Sequence, residues 1–255
     1  MVYKTHRFTT VTSTMDVCRA MAEQHADEGV VVVADEQTAG RGRVGRTWFS
    51  PAGQSLYVSI LLRPQLQPHQ LSWLTMIGAL AVIDVVHCPP SPQPYPLGGV
   101  GVAIKWFNDV LLNGKKLAGV LVETSMTGDV IDYVILGIGL NVNTRFDNAL
   151  DDVRARATSL REAFGVLVDR ERVLNRLLDV FAARYISLPA SPVGDYARHV
   201  DTLGKRVRLR VGDEIVDGDA MRVEDDGALV VQTDSGERAV RFGDVVQTLA
   251  HGYES

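Results

Sequence analysis

Behind Ser13 and Thr14 the apolar residues Val17, Cys18, Met21, Ala22 and His25 recur at i, i+3 and i+4. That spacing predicts a helix ending near His25, with either hydroxyl residue able to cap it. The unbroken apolar run over residues 29–33 reads instead as a buried strand, and residues 56–62 read as a second one. Pro68 opens a largely apolar helix reaching about Val86, and the Pro- and Gly-rich residues 89–101 read as an irregular connection. Strand-like segments follow at 102–112, 116–123 and 133–141, joined by the turn signals Asn113-Gly114 and Thr127-Gly128-Asp129.

The period then returns to that of helices. Ser159-Leu160-Arg161-Glu162 has capping-box spacing, and the segment from Asp169 carries Val173, Leu174, Leu177, Leu178, Phe181 and Tyr185 on one face. Pro189 and Pro192 mark a break, and beyond His199 short alternating strands are expected at 206–211, 214–223, 228–233 and 237–242. A β-barrel of roughly 50 residues is a size that needs docking or a well-formed core. The chain is therefore read as a domain over 1–195 followed by a small barrel domain over 196–255.

Composition narrows the class. The chain has 255 residues, 46% hydrophobic and 22% charged, as expected for an ordinary globular protein. Its net charge of -5 argues against sequence-independent nucleic-acid binding as the main task, because that affinity comes from neutralising phosphates. Concentrated positive charge then points to a site. Cys18 and Cys88 lack metal-ligand spacing, so no disulfide framework or zinc cluster is expected and the reducing cytoplasm is the default location. The N-terminus has no secretory apolar region, and the apolar helix, interrupted by Asp84, reads as too short for a bilayer. No membrane role is expected.

The sharpest concentration of charge is Gly40-Arg41-Gly42-Arg43-Val44-Gly45-Arg46-Thr47-Trp48. Glycines let a backbone wrap an anion closely, and each guanidinium offers a planar fork of donors to carboxylate or phosphate oxygens. A solvated surface loop, or a segment that contacts RNA, shares the same composition.

A second cluster is Lys105-Trp106-Phe107-Asn108-Asp109, which leads through Asn113-Gly114 to Lys116. Asn-Gly favours a two-residue type I′ hairpin, which sets Leu112 against Lys115, Leu111 against Lys116 and Asp109 against Ala118. Lys116 and Asp109 then share a face as diagonal neighbours, with Ala118 and Val120 along it, whereas Lys115 points the other way. A lysine over apolar residues needs a partner, either Asp109 or an anionic ligand. An ordinary cross-strand ion pair satisfies the same pattern. In Gly137-Ile138-Gly139-Leu140-Asn141-Val142-Asn143, glycines inside an aliphatic strand mark a close approach by a ligand or another backbone. The third glycine and following helix of a dinucleotide fingerprint are missing.

Taken in order, four blocks resemble the catalytic region of biotin protein ligases: Ser13-Thr14-Met15, Gln37 to Arg46 with Trp48-Phe49-Ser50-Pro51, Lys105 to Glu123, and Gly137 to Asn143. The resemblance spans essentially the whole chain. It implies an α+β fold, a central mixed β-sheet flanked by helices as in class II aminoacyl-tRNA synthetases, with a C-terminal SH3-like barrel. It also implies a two-step activity, in which biotin and ATP give biotinyl-5′-AMP and the biotin then passes to a lysine of a biotin carboxyl carrier protein domain. Biotin is expected at Ser13, Thr14, Met15, Gln37, Gly40, Arg41, Gly42, Arg43, Lys116 and Gly119, walled by the strands around 118–122 and Ile138. ATP is expected at Arg43, Trp48, Asn108, Lys116 and Asn141, and Mg²⁺ at Asp109, shared with the phosphates. Arg43, Lys116 and Asp109 are the expected catalytic residues. The family usually has Pro where this chain has Phe107, so the backbone before Asn108 is expected to differ.

Many bacterial members carry an N-terminal DNA-binding domain; here the first catalytic helix starts near residue 13, so no DNA partner is expected. Members are monomers or dimers, which leaves a homodimer open. Two rivals remain: a lipoate or octanoate ligase of the same fold, and a nucleic-acid-binding module using the Gly-Arg loop. The loop and barrel favour biotin over the first, and the acidity counts against the second.

Overall fold

The runs at 29–33 and 56–62 become adjacent central strands, for a reason visible in where their side chains go. In the computed structural model, which describes residues 1–87, 101–188 and 190–249, Val31 and Val33 enter one core while Val30 and Val32 enter another on the opposite face. Ile60 and Leu62 oppose Leu61 in the same way. A strand buried on both faces has no polar side to show, so it reads as a continuous apolar run.

The first part of the chain runs β1 (Lys4–Val11), α1 (Thr14–Glu23), β2 (Val30–Gln37), β3 (Leu56–Leu62), α2 (Ser72–His87), β4 (Val102–Lys105), β5 (Asp109–Leu112), β6 (Lys115–Thr127) and β7 (Val130–Leu140). These strands form one mixed sheet in the order β1-β2-β3-β7-β6-β5-β4, parallel between β1 and β2 and antiparallel elsewhere. Helix α1 covers one face with Met15, Cys18 and Ala22, and α2 covers the other. Four helices follow: α3 (Asp151–Arg156), α4 (Leu160–Phe164), α5 (Arg170–Ile186) and α6 (Val193–His199). Of these, α5 packs against α2.

Several expectations need correction. With the 3₁₀ turn Pro68–Gln70 ahead of it, the apolar helix covers 20 residues, long enough by length and composition to cross a bilayer. Its side chains are instead spent in the core between the sheet and α5. The single strand expected at 102–112 is two, β4 and β5, paired antiparallel with Lys105 opposite Asp109. The edge strand β1 gave no apolar signal because most of its residues face solvent. The connection expected at 89–101 lies outside the described residues except for Gly101.

The remaining strands, β8 (Arg206–Val211), β9 (Glu214–Val223), β10 (Leu229–Thr233), β11 (Gly236–Val240) and β12 (Asp244–Leu249), form an antiparallel SH3-like sheet in the order β11-β10-β9-β8-β12. The fifth strand, β12, was not anticipated. Two buried tryptophans pin this sheet to the first domain. Trp73 Nε1 donates to the Asp225 carbonyl at 2.6 Å and Trp106 Nε1 to the Gly227 carbonyl at 3.1 Å. Each buries a large ring without orphaning its N–H. Residue 195 falls within α6, where Tyr196 donates its hydroxyl to the Phe107 carbonyl at 2.7 Å.

Candidate active site

The start of α1, the end of β2, the Gly-Arg loop, the Asn108-Asp109 turn and Lys116 surround a cleft of about 120 Å³ on the α1 face of the sheet. A buried relay of hydrogen bonds shapes its inner wall. Ser13 caps α1 by accepting from Met15 N, and Thr14 donates to Gln37 Oε1 from its backbone N–H at 2.9 Å and its hydroxyl at 3.2 Å. Ser59 donates to the Thr14 hydroxyl at 2.8 Å, Gln37 Nε2 to Ser50 Oγ at 3.2 Å, and Ser50 to the Trp48 carbonyl at 3.0 Å. Buried polar groups demand such partners, so the relay locks α1, β2, β3 and the loop into one geometry. Ser50 and Ser59 were not expected in the site. The one available signal for Ser59 was a small polar residue inside the otherwise aliphatic and aromatic strand at 56–62.

The loop is a narrow hairpin. Trp48 N donates to the Gly40 carbonyl at 2.9 Å and Gly42 N to the Arg46 carbonyl at 2.7 Å, around a 3₁₀ turn at Arg43–Gly45. Arg41 is consumed by carboxylates: it reaches Asp16 at 2.6 Å and Glu123 at 3.2 Å, and Arg19 bonds the same two acids. Burial alone lowers the pKa of Arg41, but Asp16 and Glu123 together raise it above the usual arginine value. Arg43 is held differently. It donates to Asn108 Oδ1 at 3.1 Å and to the Gly243 carbonyl at 3.0 Å, with its guanidinium 5.5 Å above the Phe107 ring. Those acceptors are neutral, and the nearest carboxylate, Asp244, lies 3.8 Å away and pairs more closely with Arg46 at 2.6 Å.

Lys116 meets Asp109 at 2.7 Å, as the hairpin argument required, but through a different register. Asn113 and Gly114 have φ of 51° and 77°, which fits the type I′ turn, and Leu111 does oppose Lys116. A bulge after that pair then sets Asp109 against Gly119, not Ala118. Leu117 and Ala118 consequently both enter the core, and the cleft wall beside Lys116 is Gly119 and Leu121, not Ala118. Lys105, across from Asp109, was not counted as a site residue. Burial lowers its pKa, opposed by the attraction of Asp109.

The strand glycines answer to side chains of the protein itself. A Cβ on Gly139 would lie 2.5 Å from the Trp48 ring and one on Gly119 3.0 Å from it, so this paired couple forms a ledge on which the indole rests. At Gly137 the neighbour is Met15 Sδ, 2.9 Å from where a Cβ would stand. Lys116 Nζ lies 5.2 Å from the centre of the indole. Beyond Trp48 opens a second, more apolar cavity of about 160 Å³, lined by Phe49, Phe146, Val153 and Ala157 with Asp152, Arg156 and Asn141. Trp48 and Lys116 line both cavities. Asn141 is buried, and its amide donates to the Thr158 carbonyl at 3.1 Å and the Lys116 carbonyl at 3.4 Å. Of the expected site residues, Gly40 does not line the first cleft and Asn141 lines only the second.

Residues 7–141, more than half of the chain, match the model of the biotin/lipoate A/B protein ligase family, and residues 202–246 match the biotin protein ligase C-terminal domain. The chain belongs to the biotin protein ligase family. It is 38% identical over 233 residues to the biotin–[acetyl-CoA-carboxylase] ligase of Mycobacterium tuberculosis, covering 89% of this chain and 82% of that one. Among solved structures it is similar to the biotin protein ligase of Aquifex aeolicus in complex with biotin and ATP, with TM-score 0.78, 30% identity and coverage of 95% of this chain and 97% of that one. It is also similar to the Leishmania major biotin protein ligase in complex with biotinyl-5-AMP, with TM-score 0.63, 30% identity and coverage of 94% and 99%. The match to the biotin protein ligase C-terminal domain, together with these likenesses, favours biotin over lipoate.

Proposed function

We propose that the first cleft of this ligase holds biotin and the second the adenosine of ATP, and that the two react at Lys116. The observation that carries the assignment is that Lys116 and Trp48 line both cavities. The polar start of α1, with Thr14 and Gln37, suits the ureido end of biotin, and Leu121 with Val58 and Ile138 suits its apolar ring and chain. The aromatic walls of Phe49, Trp48 and Phe146 suit a purine.

In the first step a carboxylate oxygen of biotin bonds to the α-phosphorus while the bond from that phosphorus to the bridging oxygen breaks. The products are biotinyl-5′-AMP and pyrophosphate. Two anions must meet, so fixed cations are the largest help available. Arg43 is suited to this because its hydrogen-bond acceptors are neutral and Asp244, 3.8 Å away, pairs more closely with Arg46, and Lys116 because Asp109 holds its ammonium group where the two cavities meet. In the second step the amine of a carrier-domain lysine attacks the acyl carbon of the mixed anhydride, AMP leaves, and the new amide nitrogen gives up a proton.

A hydrated Mg²⁺ shared with phosphates takes only one or two protein carboxylates. The site fits that requirement: Asp109 lies at the junction, and no group of three or more His, Cys, Asp or Glu residues able to hold a metal occurs among the described residues. Asp109 would hold the ion, which when bound neutralises phosphate charge.

The direct test incubates the protein with biotin, ATP, Mg²⁺ and a biotin carboxyl carrier domain, then maps the product by mass spectrometry. A biotinylated lysine is expected. Transfer of lipoate without transfer of biotin would overturn the assignment.

A further inference from the structure

The Gly-Arg loop belongs to the first domain by sequence, yet half of it is fastened to the second. Arg43 donates to the Gly243 carbonyl at 3.0 Å, and Arg46 pairs with the Asp244 carboxylate at 2.6 Å. Arg46 Nε also donates to the Arg43 carbonyl at 3.3 Å, so Asp244, Arg46 and the Arg43 backbone form one chain of contacts. The turn before β12 is shaped for this. Gly243 has φ of 156°, and a Cβ there would stand 2.8 Å from the Arg210 carbonyl, so only glycine fits with its own carbonyl turned toward Arg43. By contrast the other half of the loop is fastened within the first domain, through Arg41 to Asp16 and Glu123.

We propose that Asp244, together with the Gly243 carbonyl, is a cross-domain brace that sets Arg43 and Arg46 in place for the phosphates of ATP. Asp244 is thus a positioning residue for adenylation, and the small domain takes part in the first step through it. A guanidinium already fixed at its working position loses less side-chain freedom when the triphosphate arrives. The relay from Thr14 to Ser50, on the side of the cleft assigned above to biotin, does not pass through the brace. The inference rests on the reading above that this half of the loop faces ATP.

The test uses the full chain with Asp244→Asn and Asp244→Glu. Biotin affinity is read by fluorescence without ATP, and adenylation by biotin-dependent exchange of pyrophosphate into ATP. For Asp244→Asn the KM for ATP is expected to rise about tenfold, the effect of losing one charged hydrogen bond. Biotin affinity is expected to stay within about twofold, and Asp244→Glu should recover most of the change. Adding Arg46→Gln to Asp244→Asn should cost little more, because the two act as a unit. An unchanged KM for ATP, or equal losses for ATP and biotin, would overturn the brace. Hydrogen exchange provides a readout independent of catalysis: in the ligand-free protein Asp244→Asn should lose protection at residues 42–46, and unchanged protection there would also overturn it. Absence of biotin-dependent exchange in the unsubstituted protein would instead count against the assignment of the cleft.

Discussion

Arg41 and Arg43 stand two residues apart in the same loop and do opposite work. Arg41 is saturated by Asp16 and Glu123 and serves as a strut between α1, the loop and β6. Arg43 rests on a side-chain amide, a backbone carbonyl and an aromatic face, and its one carboxylate neighbour, Asp244 at 3.8 Å, is shared with Arg46, so its charge is compensated less than that of Arg41. An arginine's availability to an anion is decided by whether its partners are charged, not by its place in a motif. The two lysines of the hairpin differ in another way: Lys115 is exposed, whereas Lys116 is half-buried, lines the cleft and is held there by Asp109.

The comparison is broken most directly by removing the cations assigned to the reacting anions. Arg43→Ala and Lys116→Ala should each slow adenylate formation about a hundred- to a thousandfold, the loss of about 3–4 kcal/mol of transition-state stabilisation, with Tm nearly unchanged. Lys115→Ala should stay within about twofold, because an exposed lysine away from the reacting groups contributes little. Pyrophosphate exchange at saturating biotin and ATP measures this, and equal losses for the two lysines would refute the observed register. Gly139→Ala should come next. Its methyl group would displace the Trp48 ring from the ledge and raise the KM for ATP about tenfold, in line with a typical core overpacking penalty, while disturbing biotin affinity less. A larger loss for biotin would place the indole in the wrong cavity.

Arg41→Ala should act mainly on stability. Its ion pairs are partly exposed, so about 1 kcal/mol, or a few degrees in Tm, is the expected cost. Arg43→Ala lowering Tm as far as Arg41→Ala would erase the distinction between the two. The smallest effect concerns Lys105, whose pKa is lowered chiefly by burial. As pH rises, the free ligase should lose this charge before an ordinary lysine would, a titration that NMR of the labelled ammonium group follows; an apparent pKa at or above the ordinary lysine value would refute it.

Much of this was legible in local pattern. The helix behind Ser13 and the alternating strands of the small domain follow from periods of 3.6 and 2, the two-sided burial of β2 and β3 from unbroken apolar runs, and the Asn113-Gly114 turn from its residue types. What local pattern missed was weak or irregular. Strand β1 is polar because it is an edge, and the bulge between β5 and β6 has no sequence signature in an alternating run. The glycines at 137 and 139 were read as marking the approach of a ligand or another backbone, and what approaches is two side chains, Met15 and Trp48, the latter also covering Gly119.

By itself, the sequence determined the elements, the glycine-arginine loop, the lysine hairpin and the family to which they belong, because each depends on residues near one another in the chain. Only the tertiary structure decided which cation is free to act. The partners that settle it, Asp16 and Glu123 for Arg41 and Gly243 for Arg43, lie 25, 82 and 200 positions away. Charge is compensated through space, and the fold alone brings those partners together.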